Sequence, residues 1–183
     1  MNRLLTLVVL MAVCGFTLSA RAEDVLTGDT RLACEATLCL SSGTRPSECS
    51  PSLSRYFGIR KKWWSDTIKA RFNFLQLCPV AGETPEMKSL TKAISQGAGR
   101  CDAAGLNMLL KVVSWEDDDY YISNKMPSYC AAYNNHEYTD LATPVYVGEP
   151  EKGGFWTEAE NYKEALAKYK EIQRRRAQQG IWH

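Results

Sequence analysis

Six cysteines downstream of an apolar leader restrict this chain more than any other feature. They are Cys34, Cys39, Cys49, Cys78, Cys101 and Cys130. An even set behind an export signal is what a disulfide framework made in an oxidising compartment looks like. No two form C-x-x-C, so neither a thioredoxin-like redox site nor a zinc ribbon is indicated. Zinc would also call for histidines, and the chain has only His136 and His183.

The leader reads as a secretory signal. Arg3 supplies a positive start, Leu4 to Leu18 an apolar run, and Ala20-Arg21-Ala22 the small-x-small pattern before Glu23, so cleavage is expected after Ala22. The run is 15 residues, short of the ~20 that a membrane-spanning helix needs. Cys14 lies inside it after Val13, where a lipoprotein signal would have a small residue, and is read as leader filler. Loss of residues 1–22 removes Arg3, Arg21 and no acid, leaving 20 basic against 21 acidic residues and a net charge of −1. That balance argues against non-specific nucleic-acid binding. The remaining 161 residues suit one domain with a real core.

Periodicity predicts a mainly α fold: a small disulfide-stapled helical domain over 23–157, with a minor β-hairpin and a long charged C-terminal helix over 158–183. Asp29 or Thr30 is expected to cap a helix through Leu40. Ser50-Pro51 opens a short helix ending at Gly58, and Ser65 is expected to cap one with Ile68, Phe72 and Leu75 inward and Pro79 as its stop. Further helices are expected over Pro85–Gln96, with Met87, Leu90 and Ile94 inward, over Arg100–Lys111, and after Pro127. Val112–Trp115 and Tyr120–Ile122 read as strands around the acidic turn Glu116–Asp119, and Pro144–Val147 as a further strand. The last helix, Glu158–Gln179, carries a Tyr162, Leu166, Tyr169, Ile172 stripe and is free to dock or project.

Six cysteines allow fifteen pairings, and sequence does not choose among them. Cys34 and Cys39 point to different sides of one helix, which disfavours their union. Cys39 with Cys49 would close a short helix-to-helix loop. Cys34 with Cys78 follows if their helices pack together, leaving Cys101 for Cys130.

The chemistry offered by the side chains is sparse. No G-x-S-x-G elbow is present. His136 is the one imidazole well inside the chain, in a polar and aromatic stretch typical of a surface loop. Glu35 is the weak catalytic candidate, a carboxyl beside a disulfide, and its structural reading is a helix glutamate favoured by the dipole. Glu116–Asp119 lacks the oxygen spacing of a calcium loop, so no metal and no cofactor is expected. Arg60-Lys61-Lys62-Trp63-Trp64 interleaves basic and aromatic residues, as membrane-surface segments and single-strand nucleic-acid binders do. Its structural reading is a helix entry with tryptophans inward. Trp63 and Trp64, with Tyr162, Leu166 and Tyr169, are the interaction candidates.

Residues Leu26–Pro79, with GAGRCDAAGLN at Gly97–Asn107, ISNKMPSYCAAYNNHEYTD at Ile122–Asp140 and YVGEPEKGGFW at Tyr146–Trp156, resemble the TrbM/KikA family of conjugal transfer proteins. The resemblance implies a periplasmic accessory protein of mating-pair formation beside a type IV secretion system. Other conjugation components would be its partners, with a membrane or cell-wall surface as a further contact. It carries over no catalytic residue. A non-enzymatic interaction or assembly factor is therefore the expected function; the alternative is a peptidoglycan-acting enzyme that helps the channel through the wall. An envelope toxin is a third reading.

Overall fold

The computed structural model describes residues 26–113 and 120–180. The leader, the acidic turn Glu116–Asp119 and His183 lie outside them. Among the described residues are seven α-helices: α1 (Gly28–Ser41), α2 (Ser50–Gly58), α3 (Trp64–Leu75), α4 (Pro85–Gly97), α5 (Ala103–Leu109), α6 (Ser128–Asn134) and α7 (Tyr162–Gln178). Two antiparallel ribbons complete the fold, β1 (Lys111–Val113) with β2 (Tyr120–Ile122), and β3 (Val145–Val147) with β4 (Phe155–Thr157). The fold is mainly α, as the periodicity predicts. None of the described helices is long and apolar enough to cross a membrane.

The start of α1 differs from expectation. It begins on Gly28, whose φ of 58° lies in the left-handed region that glycine tolerates. Asp29 does not cap it; its carboxylate takes Nε and Nη2 of Arg55 at 3.0 and 2.6 Å, tying α1 to α2. Likewise Ser65 is not the cap of α3, which starts one residue earlier at Trp64. The inward face of α3 is rotated as well. Thr67, Arg71, Phe74 and Leu75 are buried, while Ile68 and Phe72 are only half-buried.

Helix α4 is the centre of the molecule, with α1, α3 and α6 packed on it. Its buried face includes Leu90 and Ile94, with Met87 half-buried against the core, as expected. The core joins Leu40, Tyr56, Leu75, Ile94, Leu106 and Tyr133, among others. Three disulfides staple it: Cys34–Cys78 between α1 and the end of α3, Cys39–Cys49 across the α1–α2 turn, and Cys101–Cys130 between the α4–α5 turn and α6.

The β3–β4 ribbon has one strand that the sequence reading omits. Strand β4 pairs Trp156 with Tyr146, and the side chain of Asn107 on α5 brackets the Trp156 backbone, accepting from its N–H at 2.7 Å and donating to its carbonyl at 2.8 Å. Trp156 Nε1 donates to Ser123 O at 3.0 Å. Helix α7 docks rather than projects. Ala165, Leu166 and Tyr169 pack on Val147 and Phe155 in a small second core, and Gln173 and Arg176 donate to the Lys152 carbonyl. It starts at Tyr162, behind a short 3-10 turn over Ala159–Asn161, four residues later than the pattern suggests.

Two buried tyrosines lock the helices together. Tyr56 OH donates to Ile94 O at 3.0 Å and Tyr133 OH to Leu40 O at 2.6 Å. Burial pushes the Tyr56 hydroxyl far above the ordinary tyrosine range and that of Tyr133 up to about 12. Because the folded values are raised, the neutral phenols stabilise the fold fully below the unfolded value of about 10, and this contribution is lost as pH climbs through the folded value. Urea melts at stepped pH should therefore show stability falling steeply between about pH 10 and 12, with a shallower fall in Tyr133→Phe. A flat profile there would contradict the assignment.

Candidate functional site

The basic and aromatic segment before α3 is held in place by Thr67. Its buried hydroxyl accepts from Lys61 N at 2.9 Å and donates to Trp63 O at 3.2 Å, folding the segment back on the first helical turn. This separates the two tryptophans. Trp63 stands 63% exposed, with the Lys62 ammonium over its ring. Trp64 is 39% exposed and lies between two arginines, with the guanidinium carbons of Arg71 and Arg100 at 5.3 and 4.6 Å from its ring centre.

That contact is the middle of a ladder. Arg71 also faces Tyr56 at 4.9 Å and Phe57 at 5.4 Å, and Arg100 also faces Tyr129 at 4.8 Å. Cations and rings alternate from α2 through α3 and the α4–α5 turn to α6. Arg71 is buried, with no carboxylate in ion-pair range among the described residues, and its Nε donates to Ile59 O at 3.3 Å. Burial pulls it below the usual arginine range, yet a guanidinium stays protonated at neutral pH. Stacking of this kind, worth about 2 kcal/mol per desolvated contact, replaces the missing counter-ion. The sequence reading marks neither Arg71 nor Arg100. An i,i+4 relation between Thr67 and Arg71 on the buried face is the one available signal, and a helix-period count treats arginine as outward.

Around the ladder the charge is one-sided. Residues 60–100 hold eight basic side chains and three acidic ones, Asp66, Glu83 and Glu86. The five ion pairs among the described residues all lie elsewhere, at Arg31–Glu35, Arg55–Asp29, Lys152–Glu149, and Arg174 and Arg175 with Glu171.

The other candidates stand apart from this face. Glu35 sits on α1 in an i,i+4 pair with Arg31 at 2.6 Å, its side chain 32% exposed. That is the setting of a partly exposed i,i+4 ion pair on a helix surface. His136 Nδ1 accepts from Tyr138 N at 3.1 Å within a turn. Of the α7 stripe, Tyr169 is buried and its OH accepts from Glu149 N at 3.2 Å, Leu166 is half-buried, and Tyr162 and Ile172 remain exposed. Tyr169 and Leu166 thus serve internal docking.

A cleft of about 260 Å³ gathers acids that the sequence reading passes over. Asp102, Glu158 and Glu160 line it with Arg45, over Tyr133 and Asn134. Two of its carboxylates are engaged at the N-terminus of α5, Asp102 accepting from Gly105 N at 2.6 Å and Glu158 from Ala103 N at 2.8 Å. This is helix capping brought from two distant stretches of chain. No group of three or more His, Cys, Asp or Glu side chains among the described residues is arranged to hold a metal ion.

No curated protein and no solved structure matches the chain. The TrbM family model matches residues 25–170. The match takes in all six bridged cysteines and every rung of the cation and ring ladder, and it reaches into α7 as far as Lys170, beyond the motifs that carry the resemblance in sequence. The chain belongs to the TrbM family, and with it to the proteins of conjugal transfer.

Proposed function

We propose that this protein is a periplasmic accessory factor of mating-pair formation, acting beside a type IV secretion system by binding other components rather than by catalysing a reaction. The family match over the whole disulfide-stapled body carries the reading. Two features support it. The three bridges favour an oxidising compartment. The face built from residues 60–100, with Trp63 exposed and its cations without ion-pair partners among the described residues, offers an adhesive surface.

The reading is tested by complementing a plasmid that lacks the gene and scoring transfer. Alanine at Glu35, His136 or Glu137 should leave transfer unchanged, since substitutions at such surface positions shift stability by no more than about 0.5 kcal/mol. Alanine at Cys101 or Cys130 should lower protein level and transfer together. The mature periplasmic protein should begin at Glu23 and show no free thiol. Release of muropeptides from purified sacculi, abolished by Glu35→Gln in a folded protein, would replace this reading with the cell-wall enzyme.

A further inference from the structure

Helices α3 and α4 do not close fully on each other. Between them lies a pit of about 220 Å³, lined by the half-buried Ile68 and Phe72 and the buried Ser95, and edged by Ser65 and Gln96. Lys69 on α3 and Lys92 on α4 stand at its rim. This explains the rotation of α3 noted above. Thr67, Arg71, Phe74 and Leu75 take the core face, so the 65, 68, 69, 72 face is left over, apolar at its centre and cationic at its edge.

Neither rim lysine has an ion-pair partner among the described residues. Asp66 is the one acid on α3 and Glu86 the one acid on α4, and neither pairs with them. Lys88, one turn before Lys92, extends the cationic edge. An apolar depression of this size receives one or two aliphatic or aromatic side chains, and the surrounding ammonium groups select what flanks them.

We propose that the α3–α4 pit is a docking site for an acidic amphipathic protein segment, one that places an apolar side chain over Ile68 and Phe72 and carboxylates against Lys69 and Lys92. The shape favours protein over a lipid surface. Interfacial membrane binding works through apolar groups that protrude into the headgroup region, whereas here the apolar atoms are recessed and the lysines stand around them. An apolar anchor seated in a groove between two helices is a recurrent way to recognise an amphipathic helix. The inference rests on the proposed interaction role and adds its place and the chemistry of the partner.

The test uses the mature protein and a labelled synthetic peptide with capped ends, an amphipathic helix bearing leucines at i and i+4 and glutamates on both flanks. Fluorescence anisotropy should show saturable binding that weakens as salt is raised. Lys69→Glu with Lys92→Glu should weaken it at least tenfold, and so should Phe72→Ser, while the remote pair Lys163→Glu with Lys168→Glu should leave it unchanged. Circular dichroism of each variant confirms that it is folded, and Lys69→Arg with Lys92→Arg, which keeps the charge, should retain binding. Equal affinity for a lysine-flanked peptide, no binding at low salt, or stronger capture by phosphatidylglycerol vesicles than by the peptide would each overturn the assignment. Transfer assayed with the same double Glu variant separates the two readings. Peptide binding lost with transfer intact refutes a conjugative role for the pit and leaves the accessory function standing. Transfer lost only through the cysteine variants does the same.

Discussion

Replacing Cys34 and Cys78 together by alanine is expected to cause a larger fall in stability than the same replacement of Cys39 and Cys49. The bridges close loops of very different length, 44 residues apart in one case and 10 in the other. Loop-closure entropy in the unfolded chain assigns ~4 kcal/mol to the longer and ~3 kcal/mol to the shorter. Against a total of about 5–15 kcal/mol for a domain, the first is a large share. With about 2–4 °C per kcal/mol at this size, the melting temperature should drop by roughly 8–16 °C. Geometry adds to the entropy. Cys78 is almost fully buried where α3 ends, and Cys34 sits on α1, so the bridge clamps two of the three helices that pack on α4. Calorimetry of the two double variants and the wild type gives the order. Equal losses, or a greater loss from Cys39 and Cys49, would show that the stabilisation does not follow loop length.

The bridges were partly legible because helix phase and loop length constrain them. Cys34 and Cys39 diverge on α1, and the turn after Ser41 brings Cys49 back toward Cys39. What sequence left open was whether α1 and α3 touch, which is a tertiary fact, and on it hung the Cys34–Cys78 bond. Helix ends were less legible than helices. Asp29 has the chemistry of a cap but is taken by Arg55 across the α1–α2 interface, and Ser65 yields its place to a backbone held by Thr67. In the first case a bond between helices outcompetes the local one, and in the second one local arrangement replaces another.

The candidate surface was legible in composition and not in geometry. Arg60 to Trp64 announced a basic and aromatic cluster, but the sequence treats its two tryptophans alike, and the fold sends Trp63 to solvent and Trp64 between Arg71 and Arg100. A buried arginine without a carboxylate breaks the rule that charges face water or pair. It is tolerated because aromatic faces surround it, and those faces come from different helices. Strand β4 was hidden for a related reason. Three residues between Gly154 and Glu158 are too short a run to show a period of two, and their pairing depends on β3 and on Asn107.

A single methyl group at Gly97 is expected to be nearly as damaging as the loss of a disulfide. Gly97 is the last residue of α4, and a Cβ there would stand 2.6 Å from the Cβ, Cγ and Cδ1 atoms of Tyr133 on α6. Those atoms belong to the root of the side chain, so no rotation of a flexible end relieves the contact. Tyr133 must shift as a whole, and its hydroxyl then leaves the Leu40 carbonyl that it meets at 2.6 Å. Overpacking of this kind costs about 1–3 kcal/mol, and an abandoned buried carbonyl about 1–3 kcal/mol more. Gly97→Ala should therefore lose roughly 3 kcal/mol, a fall of about 6–12 °C in melting temperature. Gly58→Ala is the matched control, since Gly58 ends α2 with nothing within 4 Å of the new Cβ and no positive φ. It should be neutral or stabilising by about 0.4–1 kcal/mol, because alanine restricts the unfolded chain. The contrast isolates the α4–α6 crossing from the general effect of replacing a helix-terminal glycine. Similar melting temperatures for the two variants would mean that the crossing can open without cost, and that Tyr133 does not hold α1 and α6 together.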